Sequence, residues 1–265
     1  MEPSTRIFWL PKNGNTAEEY EDAFAHSQCN FSIADGATES SFAERWAQEL
    51  VKKYVAAPPA GATPSSVQLE NWLSPLQKEW HAGIAWDRLP WYAEEKARTG
   101  AFAAFLGLQF FESAACPEKR SLFSFWKKPA TRKESKWLAL AVGDSNLFHL
   151  RQSTLLRAFP IERAEQFDTR PLLLSSNPKK NNPVWQRIQM TEGTCQPGDV
   201  FLLMTDALAN WFLKKTELNA NPLPTILNIT NEAEFSQFIE EQRLSTALKN
   251  DDVTLMVLVW KDSNK

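Results

Sequence analysis

Short apolar runs that each carry an aspartate at one end recur along the chain. Their length and their content of branched and aromatic residues are typical of buried β-strands. A carboxylate at a strand end lies where the sheet stops and solvent begins. If these strands are neighbours, the carboxylates meet at one rim and repel each other unless cations neutralise them. Hard divalent ions bound through oxygen would neutralise them. The aspartates at the strand ends are Asp35, Asp144, Asp206, Asp251 and Asp252.

Other segments repeat apolar residues at helical spacing. A helix is predicted from a cap at Thr38 or Ser40 to about residue 55, on the spacing of Phe42, Trp46, Leu50 and Tyr54. A second helix over 67–80 should bend at Pro75. A third, over 90–98, should begin at a proline and stop at Gly100. Two more are predicted over 207–214 and 232–244.

The remaining elements complete an α+β pattern. Residues 21–27 and 30–35 should form a hairpin, 101–111 should pair with the strand before Gly143, and 147–151 should be the next strand. Strands outnumber helices and several are joined by short turns, so antiparallel sheets with helices packed outside are favoured over alternating βαβ units. The segments 57–66 and 177–183 are typical of surface loops. The chain of 265 residues can form one core, so we expect a single domain over 1–265.

Composition limits the partners. The net charge of −3 gives no reason to expect a nucleic-acid or membrane partner. No apolar run approaches the ~18 residues that cross a bilayer, and the first residues lack the apolar segment of a secretory signal. The chain has three cysteines, at positions Cys29, Cys116 and Cys195. Their irregular spacing is typical of reduced thiols. We therefore expect a cytoplasmic monomer or weak oligomer, in which most tryptophans pack in the core.

Five short acidic signatures follow one another along the chain: Glu21-Asp22, Asp35-Gly36, Gly143-Asp144-Ser145, Thr205-Asp206 and Asp251-Asp252-Val253-Thr254. In that order they resemble the metal-dependent protein phosphatases of type 2C, over about residues 11–260. Each signature alone is weak, because an Asp-Gly pair is usually a turn. The resemblance implies a four-layer αββα sandwich, with two central antiparallel sheets flanked by helices and two metal ions at one end.

The resemblance implies Asp206 and Asp251 as ligands of a first metal ion, with Asp35 bridging to a second. Two Mg²⁺ or Mn²⁺ ions ~3.5–4 Å apart can bridge a hydroxide and orient it for in-line attack on phosphorus. Asp35 and Asp206 would then serve catalysis through this water. The implied activity is the hydrolysis of phosphoserine and phosphothreonine in phosphorylated protein substrates.

The other acidic positions are similar to ligands of the second ion and of a third. Glu21 and the carbonyl oxygen of Gly36 are implied as ligands of the second ion, and Asp22 as the residue that holds its water. Asp144 is similar to the ligand of a third, weaker ion that some members use.

Each of these positions also has a structural alternative. Asp144 could be a turn residue, and Asp206 could cap the helix that follows it. The pairs Glu21–Asp22 and Asp251–Asp252 could be solvated. The histidines are scattered, and we interpret them as surface or structural residues; they are His26, His81 and His149.

The chain departs from the family pattern at three positions. Ala17 stands where many members carry an arginine that binds the substrate phosphate, and Ala37 stands where a histidine general acid often follows. Asn210 replaces an acidic ligand of the third ion. Lys12 or Arg6 could bind the phosphate instead.

Two other functions stay open, namely a member with weakened catalysis that binds a partner, and a phosphatase of small phosphoesters. The segment 112–136 mixes seven basic residues with aromatic ones. It could be a docking loop for an acidic or phosphorylated partner, or a solvated hairpin whose aromatic residues pack back on the fold.

Overall fold

The computed structural model describes residues 3–61, 64–113, 134–167 and 170–261. Within these ranges the chain forms eleven strands and six α-helices. The strands are β1 (Pro3–Leu10), β2 (Asp22–His26), β3 (Asn30–Gly36), β4 (Phe102–Ser113), β5 (Glu134–Val142), β6 (Asn146–Arg151), β7 (Thr154–Phe159), β8 (Leu174–Ser175), β9 (Gln189–Thr194), β10 (Val200–Met204) and β11 (Val253–Trp260). The helices are α1 (Ala43–Ala56), α2 (Ser66–Ala82), α3 (Trp91–Thr99), α4 (Asp206–Glu217), α5 (Leu223–Asn228) and α6 (Glu232–Leu244).

The strands form two sheets in which every pairing is antiparallel. The first sheet has the order β1-β11-β10-β6-β7, and the second has the order β2-β3-β4-β5-β9, with β8 paired to β4. Within the second sheet, β3 and β4 pair over seven residues from Asn30 to Gly36. The predicted hairpin and the predicted pairing of residues 101–111 with the strand before Gly143 are both confirmed.

Three apolar layers hold the sheets and helices together. Phe31, Ile33 and Phe201 belong to the layer between the two sheets. Trp46 and Trp80 lie in the layer that packs α1 and α2 on the second sheet, and the third layer packs α4 and α6 on the first sheet. The order helix, sheet, sheet, helix is the predicted four-layer sandwich.

Helix α1 begins differently from the prediction. It starts at Ala43, and its N-cap residue is Phe42, which has φ of 60° and makes no side-chain cap. The Ser40 hydroxyl instead donates to the carbonyl of Ala37 and accepts the N–H of Phe102. Ser40 therefore joins the turn after β3 to the start of β4, so the prediction of a Ser40 or Thr38 cap is wrong.

Several elements are not predicted by the apolar pattern. These are the strands β1, β7, β8 and β9 and the helix α5. Of these strands, β1, β7 and β9 lie at sheet edges. The segment 177–183 is only partly a surface loop, because Asn181 is fully buried and bonds through its amide to Ser175. Of the basic segment 112–136, residues 114–133 lie outside the described residues, as does Cys116. In the described ranges no helix is both long and apolar enough to span a membrane.

Candidate active site

The hairpin of β2 and β3 provides the first part of the candidate site. Asp22 and Asp35 lie opposite each other in the strand register. The N–H of Gly36 donates to the carbonyl of Glu21 at 3.2 Å. A Cβ atom at position 36 would lie 2.6 Å from that carbonyl oxygen, so this close approach requires glycine. The Glu21-Asp22 and Asp35-Gly36 signatures are thus fixed side by side.

Three other elements bring their aspartates to the same rim. Asp144 follows β5, Asp206 is the first residue of α4 directly beyond β10, and Asp251 precedes β11. Burial raises the pKa of Asp35 well above its usual range, and the charges of the neighbouring aspartates raise it further; these neighbours are Asp22, Asp206, Asp144 and Asp251. The structure therefore brings these four aspartates within electrostatic reach of Asp35.

The cluster holds more negative charge than its surroundings neutralise. Burial and the charges of Asp252 and Asp206 raise the pKa of Asp22, although hydrogen bonds from Thr254 and Thr205 act to lower it. Burial, followed by the charge of Asp206, raises the pKa of Asp144 to about 7. Ionised carboxylates in such surroundings favour the binding of a cation.

Asp252 has a structural role that the sequence did not indicate. Its carboxylate accepts the backbone N–H of Lys12 at 2.8 Å and that of Glu21 at 2.7 Å. It therefore joins the segments before β2 and β11. The hydroxyl of Thr254 donates to Asp22 Oδ2 at 2.7 Å, while the other oxygen, Asp22 Oδ1, is buried without a hydrogen-bond partner among the described residues.

Two ammonium groups lie on the acidic cluster. Lys12 Nζ is 3.2 Å from Glu21 Oε2 and also donates to the hydroxyl of Thr38. Lys249 Nζ is 2.6 Å from Asp251 Oδ2 and 3.8 Å from Asp206 Oδ2. The sequence predicted Lys12 at the site but gave no signal for Lys249 beyond its position two residues before Asp251.

The positions that depart from the family pattern lie around this cluster. Ala17 lies in a short 3₁₀ turn before β2, and the N–H of Ala37 donates to the carbonyl of Phe102. Asn210 is one helical turn beyond Asp206 on α4, so the two side chains share a face, and Asn210 Oδ1 is buried with no described partner. Arg6 does not reach the site, because its guanidinium donates to the carbonyls of Leu227 and Ile229.

The chemistry of these donors fits a hard divalent cation. Carboxylate and carbonyl oxygens are the ligands that Mg²⁺ and Mn²⁺ prefer, and the buried Asp22 Oδ1 has no partner among the described residues. Among the described side chains, however, no three His, Cys, Asp or Glu are already arranged to hold a metal ion. Metal binding would therefore require the carboxylates to move closer together and the ammonium groups of Lys12 and Lys249 to move away from them.

Solved structures share this fold over nearly the whole chain. The serine/threonine phosphatase PstP/Ppp of Mycobacterium tuberculosis aligns with a TM-score of 0.61 and 16% identity, covering 99% of this chain and 100% of that one. The PstP catalytic domain in complex with two manganese ions aligns with a TM-score of 0.56 and 16% identity, covering 97% and 99%. The PPM Ser-Thr phosphatase MsPP of Mycobacterium smegmatis, in complex with cacodylate, aligns with a TM-score of 0.52 and 14% identity, covering 98% and 100%.

Comparison with protein-family models gave no match, and comparison with curated proteins gave none either. The structural likeness therefore establishes the fold. This chain has the fold of the PPM, or type 2C, serine/threonine phosphatases, as the five acidic signatures predicted.

Proposed function

We propose that this protein is a metal-dependent phosphatase that hydrolyses phosphoserine and phosphothreonine in proteins. The observation that carries the proposal is the cluster of mutually repelling aspartates at one rim of the sheets. The shared fold also supports the proposal, because the solved structures with this fold are phosphatases and one of them holds two manganese ions.

The proposed ligands fall into two sets that share Asp35. Asp206 and Asp251 complete the first set, and Glu21 and the carbonyl of Gly36 complete the second. Asp22 would hold water on the second ion, and its hydrogen bond from Thr254 fixes its carboxylate. When bound, Mg²⁺ or Mn²⁺ would supply a Lewis acid that activates water and stabilises negative charge on the phosphoryl oxygens.

Lys12 is proposed to bind the substrate phosphate. Its ammonium group is held between Glu21 and Thr38, on the same side of the site as the Asp35-Gly36 turn. A compact ammonium group binds phosphate as a point charge. In the reaction, water oxygen bonds to phosphorus while the bond from phosphorus to the seryl or threonyl oxygen breaks. Position 37 carries no histidine, so we propose that solvent water donates the proton to the leaving oxygen.

The test is phosphate release from a phosphoserine peptide and a phosphothreonine peptide, with Mn²⁺, with Mg²⁺ and with a chelator. We expect release with at least one metal and none with the chelator. A folded protein that releases no phosphate with either metal would contradict the proposal. A panel of small phosphoesters in the same assay separates a protein phosphatase from an enzyme of small substrates.

One observation favours a second function, in which the chain binds a partner without catalysis. Lys12 and Lys249 already neutralise part of the cluster, while Ala17 and Ala37 lack the side chains that many family members use. Tight metal binding without hydrolysis of any phosphoester would favour this alternative.

We expect Lys249→Met to strengthen metal binding. The ammonium group competes with the metal ion for Asp251 and Asp206, and methionine keeps the length of the side chain without its charge. Lys249 is 68% exposed, and exposed pairs contribute at most about 1 kcal/mol, so the Kd for Mn²⁺ should fall by up to about fivefold. Calorimetric titration with Mn²⁺ measures this, with Lys214→Met on α4 as the matched control. An unchanged or weaker Kd in Lys249→Met would contradict the competition.

We expect Asn210→Asp to create a stronger site for a third ion beside Asp144 and Asp206. The affinity of hard cations rises with the number of charged ligands, and Asn210 Oδ1 now lacks a described partner. The Mn²⁺ concentration that gives half-maximal activity should fall in this variant. An unchanged metal dependence would mean that a third ion takes no part in the reaction.

A further inference from the structure

A cavity of about 490 Å³ lies apart from the carboxylate cluster, between α2, α3 and the segment 176–179. Its walls combine the aromatic rings of Trp80 and Trp86 with polar residues of the opposite segment, Ser176 and Asn177. The cavity is open to solvent on one side, since Trp86 is only partly buried while Trp80 is 2% exposed. A groove with aromatic walls and a polar edge has the composition of a ligand-binding site.

The charged residues that line this cavity are all basic: Lys78, Arg98 and Lys179. Among the described residues that line it there is no aspartate or glutamate. Arg98 lies over the ring of Trp86, 5.0 Å from its centroid, and Glu94 on the same helix neutralises part of its charge. Because the chain as a whole is acidic, this concentration of positive charge is local and favours an anionic ligand.

An unused hydrogen-bond donor lies in the same wall. The indole N–H of Trp80 is buried and has no hydrogen-bond partner among the described residues, whereas Gln77 nearby donates to the carbonyl of Ser175. Because this nitrogen is not accessible to solvent, a ligand in the cavity does not reach it, and the basic side chains alone favour an anion.

Gly100 belongs to the lining of this cavity. It also lines a second cavity, of about 320 Å³, whose other walls include Ala37, Glu39, Ser40 and Lys96. Ala37 follows the Asp35-Gly36 turn directly. At Gly100, φ is +100° and a Cβ atom would lie 2.8 Å from the Cβ of Asn177, so glycine is what allows the end of α3 to approach the segment 176–179.

We propose that the basic cavity binds an acidic segment of the phosphoprotein substrate while the phosphorylated residue occupies the carboxylate site. The proposal rests on the proposed function for its substrate class. The second cavity shares Gly100 with the basic cavity and includes Ala37 beside the Asp35-Gly36 turn, so it offers a path along which one extended chain would reach both sites. Specificity for phosphorylated residues near glutamates and aspartates follows from the charge of the cavity.

The binding test uses an unphosphorylated fluorescent peptide rich in glutamate and a matched peptide with glutamines, in the presence of chelator. Fluorescence anisotropy gives their Kd values for the full chain and for the double variant Lys78→Glu, Lys179→Glu. Both lysines are exposed, so the variant should fold. The control with the same change in charge is Lys52→Glu, Lys214→Glu, at exposed lysines outside the cavity.

We expect the wild-type chain to bind the glutamate peptide, and the cavity variant to bind it at least about tenfold more weakly, or ~1.4 kcal/mol. The control should lose far less, and added salt should reduce the difference. Equal binding of both peptides, an equal loss in the control, or preference for anionic vesicles or nucleic acid over the peptide would overturn the proposal.

Hydrolysis of a small aryl phosphate separates this proposal from the proposed function. Wild type and cavity variant should turn it over at the same rate, because the cavity lies outside the carboxylate site. Turnover without peptide binding would refute the cavity proposal alone. Peptide binding without turnover would refute the proposed activity while the cavity still binds acidic chains.

Discussion

Asp35→Asn should reduce metal-dependent phosphatase activity by at least about 10³-fold, because a central metal site supplies several kcal/mol to the transition state. Asp35 belongs to both proposed ligand sets, and its carboxylate interacts with four other aspartates. Asparagine keeps the shape of the side chain but removes the negative charge that a divalent ion needs. Phosphate release from a phosphoserine peptide with saturating Mn²⁺ measures the loss.

The same variant should remain folded. Burial and the neighbouring charges disfavour ionised Asp35, so a neutral side chain relieves repulsion, and the melting temperature measured in chelator should be equal to that of wild type or higher. Asp87→Asn, at an exposed aspartate, is the matched control and should keep its activity. Wild-type rates in Asp35→Asn would refute the metal assignment, and an unfolded variant would show that Asp35 is needed for the fold.

Asp199→Asn should destabilise the fold by about 3 kcal/mol, because removing the buried carboxylate leaves the charge of Arg151 uncompensated. Asp199 precedes β10, at the end of that strand opposite Asp206. Its fully buried carboxylate accepts from Arg151 at 2.7 and 2.8 Å and lies 3.0 Å from His149 Nε2. Urea denaturation at neutral pH measures the loss.

The effect of Asp199→Asn should depend on pH with a definite sign. Burial alone would raise the pKa of Asp199, but the hydrogen bonds from Arg151 and His149 outweigh it and lower the pKa. A depressed carboxyl pKa stabilises the fold above the unfolded value of ~3.9 and loses that contribution as the pH falls through the folded value. The difference between wild type and variant should therefore shrink below about pH 4. A constant difference between neutral and acidic pH would refute this role for the ionised carboxylate.

The acidic rim could be predicted from sequence because it depends on a short-range pattern. An aspartate at the end of an apolar run lies at the rim where its strand ends, and alternate strands of an antiparallel sheet, such as β3 and β5, end at the same rim. Asp35, Asp144 and Asp206 follow this rule. Apolar spacing marked α1 and α6 as helices with one buried face, whereas the order of the four layers was implied by the resemblance to the type 2C phosphatases.

The rest depended on contacts that the sequence pattern does not record. Asp252 binds the backbone of Lys12 and Glu21. Lys249 contacts Asp206. These partners lie on other elements. Edge strand β1 was missed because its burial does not alternate regularly, although it pairs with β11 over its full length. His149 was correctly expected to be structural, but its partner Asp199 is fifty residues away.

The basic cavity was unpredictable for the same reason. Its cationic residues come from α2, α3 and the segment 176–179, and none of these stretches is strongly basic alone. The surface loop predicted over 177–183 gave no indication that Asn177 and Lys179 form a wall. Only the approach at Gly100 brings them opposite Trp80.

Calorimetric titration of Mn²⁺ into wild-type protein and into Asp35→Asn is the most direct test of the carboxylate site. It measures metal binding without any assumption about the substrate. We expect saturable binding of at least two ions to the wild-type chain, and binding to Asp35→Asn that is lost or weakened at least about tenfold. No binding to the folded wild-type chain, or equal binding to both proteins, would contradict the assignment of this rim as a metal-dependent active site.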